Sequence, residues 1–231
     1  MSFQLGIDIG GTFTDVVLLD EKNEKLTFGK TLTTYGDPTD GIVSGIQQVL
    51  SDNHVSGKDI RRVLHGTTLV TNAIIERKGA KTGLITTKGF EDVLEIGREL
   101  RYDIYDLNIT MPKPLVPRNL RVGVSERVDK QGNIIHSLNQ SDVENSVQKL
   151  VDQGVEAIAI CYMFGFMNPI HEQETAQYIQ SNFPDVYVSV SSEIMPEIRE
   201  YERTSATAMN AFVQPLTHTY LSRLKTRLNE M

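Results

Sequence analysis

The chain opens with apolar and small or acidic residues in alternation. Leu5, Ile7 and Ile9 alternate with Gly6, Asp8 and Gly10, and Val16 to Leu19 then form a short apolar run. These are the marks of a half-buried strand followed by a buried one. Lys25 to Leu32 reads as a third strand behind a polar turn from Asp20 to Glu24, so the sheet starts antiparallel. The period then lengthens. Ile42, Val43, Ile46, Val49 and Leu50 recur at helical spacing after Asp37-Pro38, an N-cap with proline in the first helical position. Arg61 to His65 predicts a short strand, and Gly66-Thr67-Thr68 lead into a helix through about Lys78, stopped by Gly79. Thr82 to Thr86 is the next buried strand. Hairpin-linked strands followed by alternating helix and strand predict an α/β fold, a mixed sheet flanked by helices.

The second part reads as an inserted or appended α/β portion. Pro112, Pro114 and Pro117 make the stretch from Asp103 to Arg118 an irregular connection. Arg121 to Val128 and Ile134 to Leu138 predict a hairpin around Lys130-Gln131-Gly132-Asn133. A helix from Gln140 to Gln153 starts behind Asn139 or Ser141, Ala157 to Phe164 is a strand, Pro169 to Asn182 a helix and Val186 to Val190 a strand. From Pro196 onward the pattern is helical, with a break or kink expected at Pro215. Met209, Phe212, Val213, Leu216, Tyr220, Leu221, Leu224 and Leu228 recur there at three- and four-residue steps, and the part after Pro215 has little local sequence to pack on. It is expected to self-associate, a closed dimer being the simplest form, or to dock a second polypeptide. The division expected is one domain over 1–195, then a helical segment over 196–231 leading to a second domain absent from this chain.

Composition narrows the class. With 231 residues, 39% hydrophobic and 23% charged, the chain has the make-up of a soluble globular protein with a substantial core. A formal net charge of −7, with no Lys/Arg cluster, argues against a nucleic-acid partner. A single cysteine, Cys161, sits in an apolar run as a packed core thiol, and no segment reads as a signal or a membrane span. A cytoplasmic protein with no membrane partner is the expectation. The other histidines besides His65 show no metal-ligand spacing, so no structural zinc is expected.

The chemistry is concentrated in Asp8-Ile9-Gly10-Gly11-Thr12-Phe13-Thr14-Asp15, between the first two strands. Gly10 and Gly11 allow close approach of backbone N–H groups to an anion, and Thr12 and Thr14 add hydroxyl donors. A carboxylate so near a phosphate calls for a cation between them, which makes Asp8 a candidate ligand of Mg²⁺ or of its water. An ordinary hairpin turn would also use glycines and solvated acids. No G-x-G-x-x-G opening a helix and no G-x-x-x-x-G-K-[ST] is present. The turn resembles the first phosphate loop of the actin, Hsp70 and sugar-kinase superfamily, which implies a ribonuclease-H-like half.

A sharper likeness runs through Leu64-His65-Gly66-Thr67-Thr68-Leu69-Val70-Thr71-Asn72, Glu91 to Arg98, Pro114 to Arg118, Glu126 to Asp129, Asn168 to Glu172 and Ser192 to Arg203. On these runs the chain resembles the hydantoinase A and 5-oxoprolinase family over essentially its whole length. The resemblance implies ATP-dependent opening of a cyclic amide, with ATP and Mg²⁺ as cofactors. In related members it implies ATP-dependent carboxylation of a ketone, of the acetone or acetophenone carboxylase type. It assigns Asp8 to the catalytic metal-side carboxylate, Gly10 and Gly11 to phosphate-facing backbone, and Thr12 and Thr14 to phosphate hydrogen bonds. Asp15 belongs with them, or pairs with a lysine, or caps the turn. His65, Gly66, Thr67, Thr68 and Asn72 form a second loop at a strand-to-helix junction, expected to face the substrate cleft. A plain N-cap and a core histidine are the bland alternatives. Charges at i,i+3 and i,i+4 from Glu197 to Arg203 read as a solvated, ion-paired face, or else Arg199 or Arg203 reaches a cleft or another domain.

No second aspartate-glycine phosphate loop follows Asp15. The expectation is therefore an N-terminal portion that needs its missing half or a hydantoinase-B-like subunit. A non-catalytic nucleotide-binding module on the same fold stays open.

Overall fold

A computed structural model describes residues 3–34, 39–98, 103 and 105–231, and the backbone of 38. In chain order the first elements are β1 (Phe3–Ile9), β2 (Phe13–Asp20), β3 (Lys25–Leu32), α1 (Pro38–Asp52), β4 (Ile60–Thr67) and α2 (Leu69–Ile75). There follow β5 (Thr82–Thr87), α3 (Val93–Ile96), β6 (Arg121–Val124), β7 (Arg127–Val128), β8 (Ile134–His136) and α4 (Gln140–Asp152). The last are β9 (Ala157–Cys161), α5 (Ile170–Asn182), β10 (Tyr187–Val190), α6 (Ser191–Ile194) and α7 (Glu200–Asn229). They form two compact units, Met1–Glu76 with Thr217–Met231, and Arg77–Leu216. These units cut the chain at other points than the boundary drawn from the sequence at 195/196.

The first unit is built on a sheet ordered β3-β2-β1-β4. β1 pairs antiparallel with β2 and parallel with β4, and β2 pairs antiparallel with β3. This is the mixed α/β arrangement expected of a ribonuclease-H-like half. Alternation along β1 puts Leu5, Ile7 and Ile9 into a core with Val16, Leu18 and the α1 residues Ile42, Ile46 and Val49. Tyr220 and Leu224 from the end of α7 complete that core. The expectation that the segment after Pro215 lacks a surface of its own is thereby corrected, because those side chains are buried within the first unit. Pro215 also fails to end the helix, which is continuous from Glu200 to Asn229. A proline removes one helical N–H and displaces nearby carbonyls. The Phe212 carbonyl accepts from the Ala80 amide at 2.8 Å.

The second unit carries a parallel sheet ordered β10-β9-β5-β6. Leu84, Ile85, Ile158 and Ile160 are buried on it beneath Val143, Val147 and Leu150 of α4 and Ile179 of α5. Asn139 is the cap of α4, its side chain accepting from the Asp142 amide at 3.0 Å. The hairpin expected over 121–138 is split. Arg121–Val124 joins the parallel sheet beside β5, and only Arg127–Val128 pairs antiparallel with β8. The strand expected to run to Phe164 stops at Cys161, because the Tyr162 amide donates to the Glu172 carboxylate at 2.9 Å instead of to a neighbouring strand.

The helix expected to reach Lys78 ends at Ile75, and the left-handed residue beyond it is Arg77, at φ 55, not Gly79. Gly79 serves packing: a Cβ there would lie 2.3 Å from the Phe212 ring. Asp37, expected as the cap of α1, lies outside the described residues.

Candidate functional site

The turn between β1 and β2 is held from below by the end of β3. The Gly10 amide closes it on the Phe13 carbonyl at 2.9 Å, and the Thr33 amide donates to the Thr12 carbonyl at 3.0 Å. The Thr33 hydroxyl donates to the Gly10 carbonyl at 3.0 Å and meets the Thr14 hydroxyl at 3.1 Å. Thr14 is therefore fully buried under the turn, where it braces the loop through Thr33. Thr12 is exposed on top, and the space around Gly11 is open, since a Cβ there would meet nothing within 4 Å. Neither Gly10 nor Gly11 has a positive φ. What glycine provides here is clearance for close approach.

Asp8 lies on the exposed side of β1, directly across from Asp15 on β2 and Gly66 on β4. Directly opposed residues project to the same face, so two carboxylates face each other, a repulsive pair. Asp15 is answered by Lys30, its partner on β3, at 3.1 Å. The lysine pairing left open in the sequence is the one formed. Asp8 lies beside Gly66, whose missing side chain leaves room: a Cβ there would stand 3.3 Å from Asp8 Oδ1.

The second loop is at the junction of β4 and α2. Thr67 Oγ1 accepts from the Leu69 amide at 3.1 Å, and Asn72 Nδ2 donates to Thr68 Oγ1 at 3.2 Å. A cavity of about 140 Å³ joins Gly10 and Gly11 to Thr67, Thr68 and Asn72, with Thr33, Thr34 and Tyr220 also on its wall. His65 and Gly66 are not on that wall. His65 turns toward the core, where its Nε2 and the Tyr220 hydroxyl share a 2.6 Å hydrogen bond. Its Nδ1 is buried with no partner of normal geometry among the described residues. Burial pushes the His65 pKa below the ordinary histidine value, against the pull of the Ile7 carbonyl and the Asp8 carboxylate.

Sequence reasoning missed Thr33, Thr34 and Tyr220. The threonine pair just past β3 was a local signal, whereas the place of Tyr220 follows only from the return of α7. The remaining likeness-bearing runs converge inside the second unit. Glu126 accepts from Thr87 and meets His171 Nδ1 at 2.8 Å, and Glu172 accepts from the Ser191 hydroxyl at 2.6 Å and the Ser192 amide at 2.9 Å. Arg203, expected on a solvated face, is fully buried. It donates to the Tyr162 carbonyl at 2.7 Å, approaches the Cys161 sulfur at 3.4 Å and lies over the Phe166 ring. Burial raises the Cys161 pKa, with the Arg203 charge opposing, so the thiol stays neutral core.

Residues 4–183 match the family described as hydantoinase/oxoprolinase N-terminal region. The alpha subunit of caprolactamase from Pseudomonas jessenii is 34% identical over 235 residues, covering 99% of this chain and 34% of that subunit. The crystal structure of the ATP-dependent caprolactamase of that organism superposes with a TM-score of 0.89 at 34% identity, covering 98% of this chain and 34% of that one. Nucleotide-free acetone carboxylase gives a TM-score of 0.86 at 26% identity, with 98% and 34% covered. The chain thus spans about a third of the length of the proteins it matches.

Proposed function

The chain belongs to the hydantoinase/oxoprolinase family, and we propose that it is the N-terminal portion of an ATP-dependent enzyme that opens a cyclic amide by phosphoryl transfer to the amide oxygen. The observation that carries this reading is the cavity in which Gly10 and Gly11 meet Thr67, Thr68 and Asn72, with the exposed carboxylate of Asp8 two residues before Gly10. At about 140 Å³ it has room for a phosphoryl group, and the clearance at Gly11 lets an anion approach the backbone. Asp8 opposite Asp15 suits a hydrated Mg²⁺, which uses one or two carboxylates and several waters. Among the described residues no three acidic, histidine or cysteine side chains gather into a metal cage of their own.

When bound, ATP with Mg²⁺ supplies an electrophilic phosphoryl group and turns the amide oxygen into a leaving group. In this scheme Asp8 orients the cation, and the hydroxyls of Thr12, Thr67 and Thr68 donate to the phosphoryl oxygens. Asn72 holds Thr68 in place, and Thr14 with Thr33 keeps the turn from yielding. Preorganised donors of this kind work because they need not rearrange as charge develops. His65 supports the site from beneath through Tyr220.

The partner in this reading is the remainder of the enzyme, carried in the same polypeptide or in a hydantoinase-B-like subunit, and the compartment is the cytoplasm. The test is Asp8→Ala in the assembled enzyme. ATP turnover and ring opening should fall together by about two orders of magnitude, as when a transition-state charge partner is lost. The melting temperature should hold, because Asp8 is exposed. Undiminished turnover would remove Asp8 from the metal role. The likeness to acetone carboxylase supports a second reading, ATP-dependent carboxylation of a ketone, for which turnover would require bicarbonate. ATP binding with no turnover of either kind would leave a nucleotide-binding module.

A further inference from the structure

The cavity at the β1–β2 turn holds little beyond a phosphoryl group, whereas the second unit contains a cavity of about 570 Å³, in the range of metabolite sites. It starts directly after β5, at Gly89 and Phe90. In the sheet order β10-β9-β5-β6 the chain leaves β5 for β6 on one side, and β9 and β10 are added on the other. The carboxyl end of β5 is therefore where the sheet reverses direction, the place where open parallel sheets hold ligands.

The lining has an apolar wall and a charged rim. Phe90, Val93 and Ile96 form the wall, and the Arg127 guanidinium lies over the Phe90 ring, 5.2 Å from its centroid. Of the charges, Asp92 is engaged by Arg118 at 2.5 Å and Arg98 by Glu202. Among the described residues Arg199 has a long approach to Glu202, at 4.0 Å, and its side chain is 64% exposed. Its backbone sits at φ 80, a conformation that favours glycine. It precedes the first turn of α7, whose positive end adds to the attraction for an anion. Glu200, on the same rim, repels a second negative charge.

We propose that this cavity binds a small organic monocarboxylate, with its carboxylate on Arg199 and its apolar body against Phe90, Val93 and Ile96. This assignment stands apart from the phosphoryl-transfer reading, because it uses none of the residues of the β1–β2 turn.

The test is an NMR titration of the whole chain with cyclohexanecarboxylate, run in parallel with its neutral carboxamide. A body of about nine heavy atoms permits roughly millimolar binding. The carboxylate should shift the amides of Phe90, Val93, Ile96 and Gly97, and the carboxamide should bind at least about tenfold more weakly, as loss of a charged contact requires. Arg199→Gly suits the local backbone, so it should melt no lower than the parent, yet lose about tenfold or more in affinity for the carboxylate. Asp8→Ala should bind the probe as the parent does, which separates this site from the turn. Absence of shifts at about 10 mM probe, equal binding of the carboxamide, or undiminished binding by Arg199→Gly would each overturn the proposal.

Discussion

At the residue scale, His65 shows how burial decides a role. The sequence left it between a substrate cleft and the core. The structure turns it inward to Tyr220, half-buried and with a depressed pKa. The folded protein then resists protonating a group that the unfolded chain protonates near pH 6.5. The stability His65 contributes is fully present above that pH and is lost as pH falls below it. Asp20, Asp129 and Asp142 have pKa values lowered by hydrogen bonds from their turns and from Ser125, so their contribution is lost only below the ordinary carboxylate range. His65→Gln should therefore flatten the fall in melting temperature of the first unit as pH drops below about 6.5 and leave the steeper acid limb in place. A profile that keeps its slope over that window would show that His65 is not the group responsible. That Gly10, Gly11, Thr67, Thr68 and Asn72 share one cavity was partly legible, because glycines and threonines at strand ends carry local meaning. It could not show that Thr14 points down while Thr12 points up, since that depends on which face of β2 the core claims.

At the element scale, the helix α7 matters most. Its pattern was readable as helical, and Pro215 as an interruption, yet the helix continues and its last turns bury Tyr220 and Leu224 against β1 and α1. Periodicity identifies an apolar stripe without saying what covers it. The same gap explains β6, whose apolar run was legible while its parallel pairing with β5 was not. Local sequence signals hairpins through their turns, but parallel neighbours are joined only through long connections. If the end of α7 belongs to the first unit, deleting 217–231 removes two buried side chains worth about 2–5 kcal/mol each. That is a large share of the roughly 5–15 kcal/mol by which a domain is stable. Amide exchange in β1 and β4 should accelerate strongly in the truncated chain, while β5 and β9 stay protected. Unchanged protection in β1 would show that the first unit does not depend on α7.

At the scale of the whole molecule, a third of the length of its relatives carries a phosphoryl-sized cavity in the first unit and a metabolite-sized cavity in the second. ATP is far larger than the cavity at the turn, so the proposed function requires other residues to hold its adenosine. The central claim is that the amide oxygen is phosphorylated before the ring opens. With a cyclic amide labelled with ¹⁸O at the carbonyl, phosphoryl transfer makes a new O–P bond on the labelled oxygen. Water then adds to the carbon and the ring C–N bond breaks, releasing the amine and leaving an acyl phosphate; a second water at the acyl carbon breaks the C–O bond to phosphate. The assembled enzyme should accordingly release inorganic phosphate carrying one labelled oxygen for each ring opened. Label retained entirely in the product carboxylate would contradict this sequence of steps, in which phosphate departs with the amide oxygen.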